Sequence, residues 1–221
     1  MTGWKIMLIK ELIKYLDILF PNPRCELNYH KDYEFLIAVV LSAQTTDKAV
    51  NKVTSILFNK YDTLDKLNNA NIEDIIDIIR PIGTWNRKSR YIKDITKSLI
   101  EIHDSIVPNN REALELLPGV GRKVANVVLS ELFKIPTIAV DTHVTRVSIR
   151  LKLAKEKDNV ITIEKKLMKI VAKDNWSKFH HQMVLFGRYY CKAAKPECNT
   201  CHLKDLCNYN KKVKEIKIGN I

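Results

Sequence analysis

Leu116-Leu117-Pro118-Gly119-Val120-Gly121-Arg122-Lys123-Val124-Ala125-Asn126-Val127-Val128 is the stretch whose reading decides the fold. Ahead of it, Glu112 to Leu117 reads as the end of a helix. Behind it, Lys123 to Leu132 carries apolar residues at helical spacing among good helix formers. Pro118 and two glycines lie between. Glycine accepts positive φ without steric penalty, so Gly119 and Gly121 would let the two helices reverse within a few residues. The amides of such a turn, and those of the helix start behind it, can bond a phosphate oxygen. This is a helix–hairpin–helix, for which L-P-G-V-G is the usual signature. An ordinary αα-corner punctuated by glycine is the competing reading.

Working outward, the 221-residue chain is long enough for one large or two small domains with a real core. Aliphatic residues are abundant, Gly and Pro are few, and no strand-like alternation runs far, so the fold class is all-α. The formal net charge of +12 is spread along the chain rather than packed into a tail, which favours a polyanionic partner. Nucleic acid fits better than membrane, because no uninterrupted apolar span reaches the ~18 residues a membrane helix needs. Trp4 to Phe20 is rich in Ile and Leu. Lys5, Lys10, Glu11, Lys14 and Asp17 interrupt it at helical spacing, so it predicts an amphipathic helix rather than a signal sequence, and an intracellular protein.

Further helices are predicted near Asp32–Leu41, Lys48–Asn59, Thr63–Asn69, Ile72–Ile79, Asn86–Ile102, Thr142–Leu151, Ile161–Val171 and Lys178–Tyr190. The Lys-rich tail after Cys207 reads as partly disordered. Four of the five cysteines follow in a C-x6-C-x2-C-x5-C pattern: Cys191, Cys198, Cys201 and Cys207. Cys25 stands apart and reads as a buried thiol. A disulfide framework suits neither the expected compartment nor a chain with this much core. Four thiolates in one loop point to a metal centre. Zinc ribbons usually present two C-x-x-C knuckles. A single such pair flanked by lone cysteines suits a loop wrapped around a bulky iron–sulfur cluster, and the spacing leaves both open.

Three motifs together, L-P-G-V-G-R-K, a V-D-T-H whose Asp141 lies eighteen residues beyond Lys123, and the cysteine pattern, resemble the endonuclease III family in type and order. The resemblance runs from Glu26-Leu27-Asn28 to Cys207. It implies a 4Fe–4S cluster held by Cys191, Cys198, Cys201 and Cys207. It implies a DNA glycosylase with AP lyase activity, acting as a monomer on double-stranded DNA that carries oxidised pyrimidines or abasic sites. It also implies two lobes with a cleft between them. One is a six-helix barrel domain over 25–135 containing the helix–hairpin–helix at about 112–131. The other joins 1–24 to 136–221 as the cluster domain, with its loop at 191–207. A cytoplasmic, nucleoid-associated location follows if the source is prokaryotic.

The chemistry can be argued from residue types. Attack on a sugar C1′ needs a neutral amine, and an unperturbed lysine is neutral only about one part in a thousand near pH 7.4. The positive end of a helix, the neighbouring Arg122 and desolvation in a closed cleft would all favour the neutral form of Lys123. Asp141 has the residue type of an N-cap. The resemblance makes it catalytic as well, stabilising positive charge that develops on the sugar. A carboxylate beside the lysine would favour the ammonium, against the helix end.

Gln44, in Leu41-Ser42-Ala43-Gln44-Thr45, matches the family position that fills the gap left by an extruded base, a step needing a few kcal/mol of unstacking. Opposite it many relatives place a leucine wedge after Ile-Gly. Here the residues are Thr84 and Trp85, so either Trp85 inserts, intercalation is weaker, or Trp85 is core. Gly119, Gly121, Arg122 and His143 join this DNA-contacting set. Lys192, with Lys195 and Lys204, would meet phosphates from the cysteine loop. His180-His181-Gln182 departs from a common tryptophan at its third place, and a packing role is expected of the histidines.

Two other readings remain. One is a mismatch-specific glycosylase of the same superfamily, acting on thymine or adenine. Its adenine branch generally lacks the lysine and extends further at the C-terminus, which Lys123 and the short stretch after Cys207 argue against. The other is a non-catalytic DNA-binding protein with a metal knot.

Overall fold

A computed structural model of the chain describes residues 3–210, so the Lys-rich tail lies mostly outside the described residues. Helices α1 (Gly3–Leu19), α2 (Asp32–Leu41), α3 (Asp47–Lys60), α4 (Leu64–Asn69), α5 (Ile72–Ile79) and α6 (Trp85–Ile102) are followed by α7 (Arg111–Leu116) and α8 (Arg122–Leu132). Then come α9 (Thr142–Arg150), α10 (Val160–Met168), a 3-10 turn (Lys173–Asn175) and α11 (Trp176–Tyr189). No strand forms among the described residues. The chain divides into two compact units, one of residues Cys25–Ile135 and one of Met1–Arg24 with Pro136–Ile221.

In the contiguous unit α2 is the central helix, packed by α3, α6 and α8. Its run Phe35 to Leu41 is apolar all round and entirely buried, as such a helix must be. Glu34 starts it: Oε2 accepts from the amides of His30 at 2.8 Å and Lys31 at 3.2 Å, satisfying donors that the first turn cannot use itself. Thr46, Thr63, Asn71 and Asn110 cap α3, α4, α5 and α7 with their side-chain oxygens, which is why this unit turns so often within few residues. Cys25 is half-buried rather than buried.

In the discontinuous unit the stripe Leu8, Leu12 and Leu16 of α1, spaced four residues apart, joins Val144 and Val147 of α9, Ile163 and Leu167 of α10, and Phe179, Met183 and Phe186 of α11. Leu203, 1 % exposed, anchors the cysteine loop in the same core. Truncating one such leucine to alanine costs about 2–5 kcal/mol. Gln182 explains the departure from tryptophan: it is buried, and its Nε2 donates to Asp17 Oδ1 at 2.9 Å and to the Phe20 carbonyl at 3.0 Å, fastening α11 to the end of α1. Its neighbour His180 is buried on the same helix, with its ring 5.0 Å from that of His181.

Candidate active site

The glycine turn between α7 and α8 uses its two glycines differently. Gly119 has φ +78°, and a Cβ there would lie 2.6 Å from the Tyr91 ring, so both backbone and neighbour demand glycine. Gly121 has φ −97° and open space around it, and corrects the expectation of a second left-handed residue. It is the N-cap of α8 and, having no side chain, supplies no acceptor of its own to the first amides of that helix. Arg122 and Lys123 are its first two helical residues, the arginine half-buried and the lysine exposed. Asn126, one turn on and 1 % exposed, accepts from Arg111 Nη2 of α7 at 2.7 Å, pinning the two helices of the motif together.

Gln44 and Thr84 lie in the same unit as that turn, and both are exposed at positive φ, +55° and +58°. A left-handed glutamine or β-branched threonine is an uncommon conformation, which this chain also adopts at Asp104, Ser105, Lys134, Lys152 and Lys195. Trp85 is neither core nor free-standing. It is half-buried with the Arg80 guanidinium 5.4 Å from its ring.

Lys88 is a residue that sequence reasoning missed. It is 2 % exposed, its Nζ donates to Thr45 Oγ1 at 2.8 Å, and burial, helped by Arg87, pulls its amine down to about 8. The signal was present: Lys88 shares the buried stripe of α6 with Ile92, Ile95 and Leu99.

Asp141 and His143 belong to the other unit, at the start of α9. Asp141 is half-buried and is the N-cap, its Oδ1 accepting from the Val144 amide at 2.8 Å. His143 Nδ1 lies 3.2 Å from Arg146 Nη2, which also donates to the Gly187 carbonyl at 2.6 Å. A Cβ on Gly187 would come within 2.8 Å of His143 Cβ, so only glycine lets α11 approach α9 this closely.

The far end of α9 grips the cysteine loop. Arg146 Nε donates to the Cys191 carbonyl at 3.1 Å, while Arg150 Nη1 donates to the Lys192 carbonyl at 2.7 Å and lies 3.3 Å from Cys191 Sγ. Arg150 also stacks on Tyr209, 4.2 Å from the ring centre. Cys191, Cys198, Cys201 and Cys207 line one cavity with Leu151, Phe186, Tyr190 and Leu203. Among the described residues no three metal-ligating side chains converge on a single point. Burial pushes the Cys201 thiol up to about 11, and raises those of Cys198 and Cys207, with repulsion between the thiolates adding to it. Such thiols ionise readily only beside a positive centre. Lys192 is paired with Glu197 at 2.9 Å, an exposed bridge that offsets part of the loop's positive charge.

A family model described as HhH-GPD superfamily base excision DNA repair protein matches residues 37–173. Endonuclease III of Bacillus subtilis (strain 168) is 45% identical over 194 residues, spanning 88% of this chain and 89% of that one. Endonuclease III of Escherichia coli (strain K12) is 46% identical over 193 residues, spanning 87% and 91%. Among solved structures, a trapped endonuclease III–DNA covalent intermediate superposes with a TM-score of 0.91 at 46% identity, covering 95% of this chain and 98% of that one. A thermostable thymine-DNA glycosylase, 23% identical with a TM-score of 0.82 and covering 93% and 98%, shares the fold.

Proposed function

The chain belongs to the HhH-GPD superfamily of base excision DNA repair proteins, in its endonuclease III family, and from that premise we propose that it excises oxidised pyrimidines through Lys123. It is a DNA glycosylase and AP lyase that acts on double-stranded DNA. The observation that carries the assignment of the nucleophile is the place of Lys123: exposed, second in α8, behind a turn whose cap is a bare glycine.

In this reading the phosphates flanking the lesion meet the amides of the Gly119–Gly121 turn and the α8 start, while Arg122 adds a guanidinium. The neutral amine of Lys123 forms a bond to C1′ as the N-glycosidic bond breaks. The base leaves with that electron pair and takes up a proton. Opening of the sugar ring gives an iminium between Lys123 and C1′. Loss of a proton from C2′ then expels the 3′-phosphate, which is β-elimination, and water releases the lysine. Asp141, held still by its bond to the Val144 amide, stabilises the positive charge that develops on the sugar. Gln44 fills the space of the extruded base, Thr84 and Trp85 enter from the other loop, and His143 lies on the DNA side of α9.

Cys191, Cys198, Cys201 and Cys207 would hold the 4Fe–4S cluster. The four thiols line one cavity, and their single C-x-x-C pair flanked by lone cysteines suits a loop wrapped around a cluster better than the paired knuckles of a zinc ribbon. When bound, the cluster supplies a rigid, thiolate-compensating centre for the loop.

Borohydride trapping tests the nucleophile. Wild-type protein is expected to crosslink to duplexes carrying dihydrouracil, thymine glycol or an abasic site, and Lys123→Gln to abolish the crosslink while binding persists. A Lys123→Gln protein that still crosslinks overturns the assignment. Preferential trapping on A:G or T:G mispairs would favour a mismatch enzyme.

A further inference from the structure

Lys88 lies in neither of the loops read above as entering DNA, yet it is bonded to both. Its backbone amide donates to the Thr84 carbonyl at 3.1 Å, as does that of Arg87. Its Nζ donates to Thr45 Oγ1 at 2.8 Å, and that hydroxyl in turn reaches the Ala43 carbonyl at 3.3 Å. The side-chain chain Lys88–Thr45–Ala43 therefore straddles Gln44, the residue between, which stands at φ +55°. The Thr45 amide adds a bond to the Ser42 carbonyl at 3.1 Å that closes the same loop.

We propose that Lys88 is a positioning residue, a buried clamp that fixes the Gln44 loop relative to the Thr84–Trp85 loop so that both enter the duplex in register. This rests on the reading of those loops as DNA-inserting. An amine is an expensive choice for a position that is 2 % exposed, since methionine would fill the same volume on the stripe of Ile92, Ile95 and Leu99 without a polar group to desolvate. Burial favours its neutral form, which still donates to a hydroxyl. What the amine adds is a fixed link between two loops whose strained residues could otherwise relax separately. The expectation is that losing the link slows extrusion of the damaged base and spares chemistry on a site that has already lost it.

The experiment uses full-length protein and the variants Lys88→Met, Thr45→Val, Thr45→Ser and the double Lys88→Met/Thr45→Val. Single-turnover excision from a dihydrouracil duplex is expected to fall about tenfold in each of Lys88→Met and Thr45→Val, and to be no worse in the double variant, because both remove one link. Thr45→Ser, which restores the hydroxyl, is expected to match wild type. Trapping on a preformed abasic site is expected to stay within about twofold throughout. A 2-aminopurine opposite the lesion reports insertion without any chemistry, and its fluorescence change on binding is expected to shrink in the same variants. Equal losses on both substrates, a Thr45→Val protein indistinguishable from wild type, or single losses that multiply in the double variant each overturn the clamp. Should Lys88→Met fail to fold, the Thr45 pair decides alone. Failure of wild-type protein to trap would instead defeat the Lys123 assignment, and leaves the 2-aminopurine signal to judge Lys88.

Discussion

Gly119 and Gly121 stand two positions apart and should respond unequally to the same methyl group. At Gly119 alanine meets a left-handed backbone and the Tyr91 ring at 2.6 Å, so Gly119→Ala should lose about 2 kcal/mol or more, and thermal melts should show a drop of several degrees. At Gly121 the conformation is open to any residue and the space is empty. Gly121→Ala should lose at most about 1 kcal/mol, the ordinary penalty for alanine at an N-cap. Its larger effect should be on duplex affinity, measured by titration, because a Cβ at the cap stands between the α8 amides and a phosphate. Sequence reasoning could place both glycines in a turn but could not tell which of them needed its freedom, since that depends on where Tyr91 of α6 comes to rest.

Among elements, α9 joins two duties. Its first turn is capped by Asp141 and its last carries Arg150 to the carbonyls of the cysteine loop. Asp141→Asn keeps an equally good cap, so its melting temperature should match wild type while single-turnover base release slows at least tenfold. Asp141→Ala should show the same kinetic loss together with about 1 kcal/mol of destabilisation. A normal excision rate in Asp141→Asn would remove the carboxylate from the chemistry.

The helices themselves were legible, because their apolar spacing and cap residues are local. Asp32–Leu41 and Ile72–Ile79 stand where the pattern puts them. α10 stops at Met168 rather than Val171, where the Ile170 amide turns to the Leu167 carbonyl three residues back instead of four. The positive φ of Gln44 and Thr84, the partner of the Lys88 amine and the span of Gln182 were not legible as outcomes. Each is imposed by a segment distant in the chain, and the residue type alone pointed to an ordinary loop or surface position.

On the scale of the whole molecule the +12 charge sets how binding responds to salt. A protein that neutralises about six phosphates should lose roughly 10³-fold in duplex affinity between 50 and 200 mM salt. Fluorescence anisotropy on undamaged duplex should give that slope, and a flat response would mean that the charge is spent elsewhere. The two units also differ in how their chains are threaded. Cys25–Ile135 is one uninterrupted segment, whereas the leucine stripe of α1 finds Val144, Phe179 and Phe186 only across more than a hundred residues of intervening sequence. During synthesis, which runs from the N-terminus at about 5–20 residues per second, the middle segment can close upon itself soon after it emerges. Leu8, Leu12 and Leu16 gain their partners only as α9, α10 and α11 follow, so the newborn first helix should stay open to chaperone binding well after the middle segment has closed.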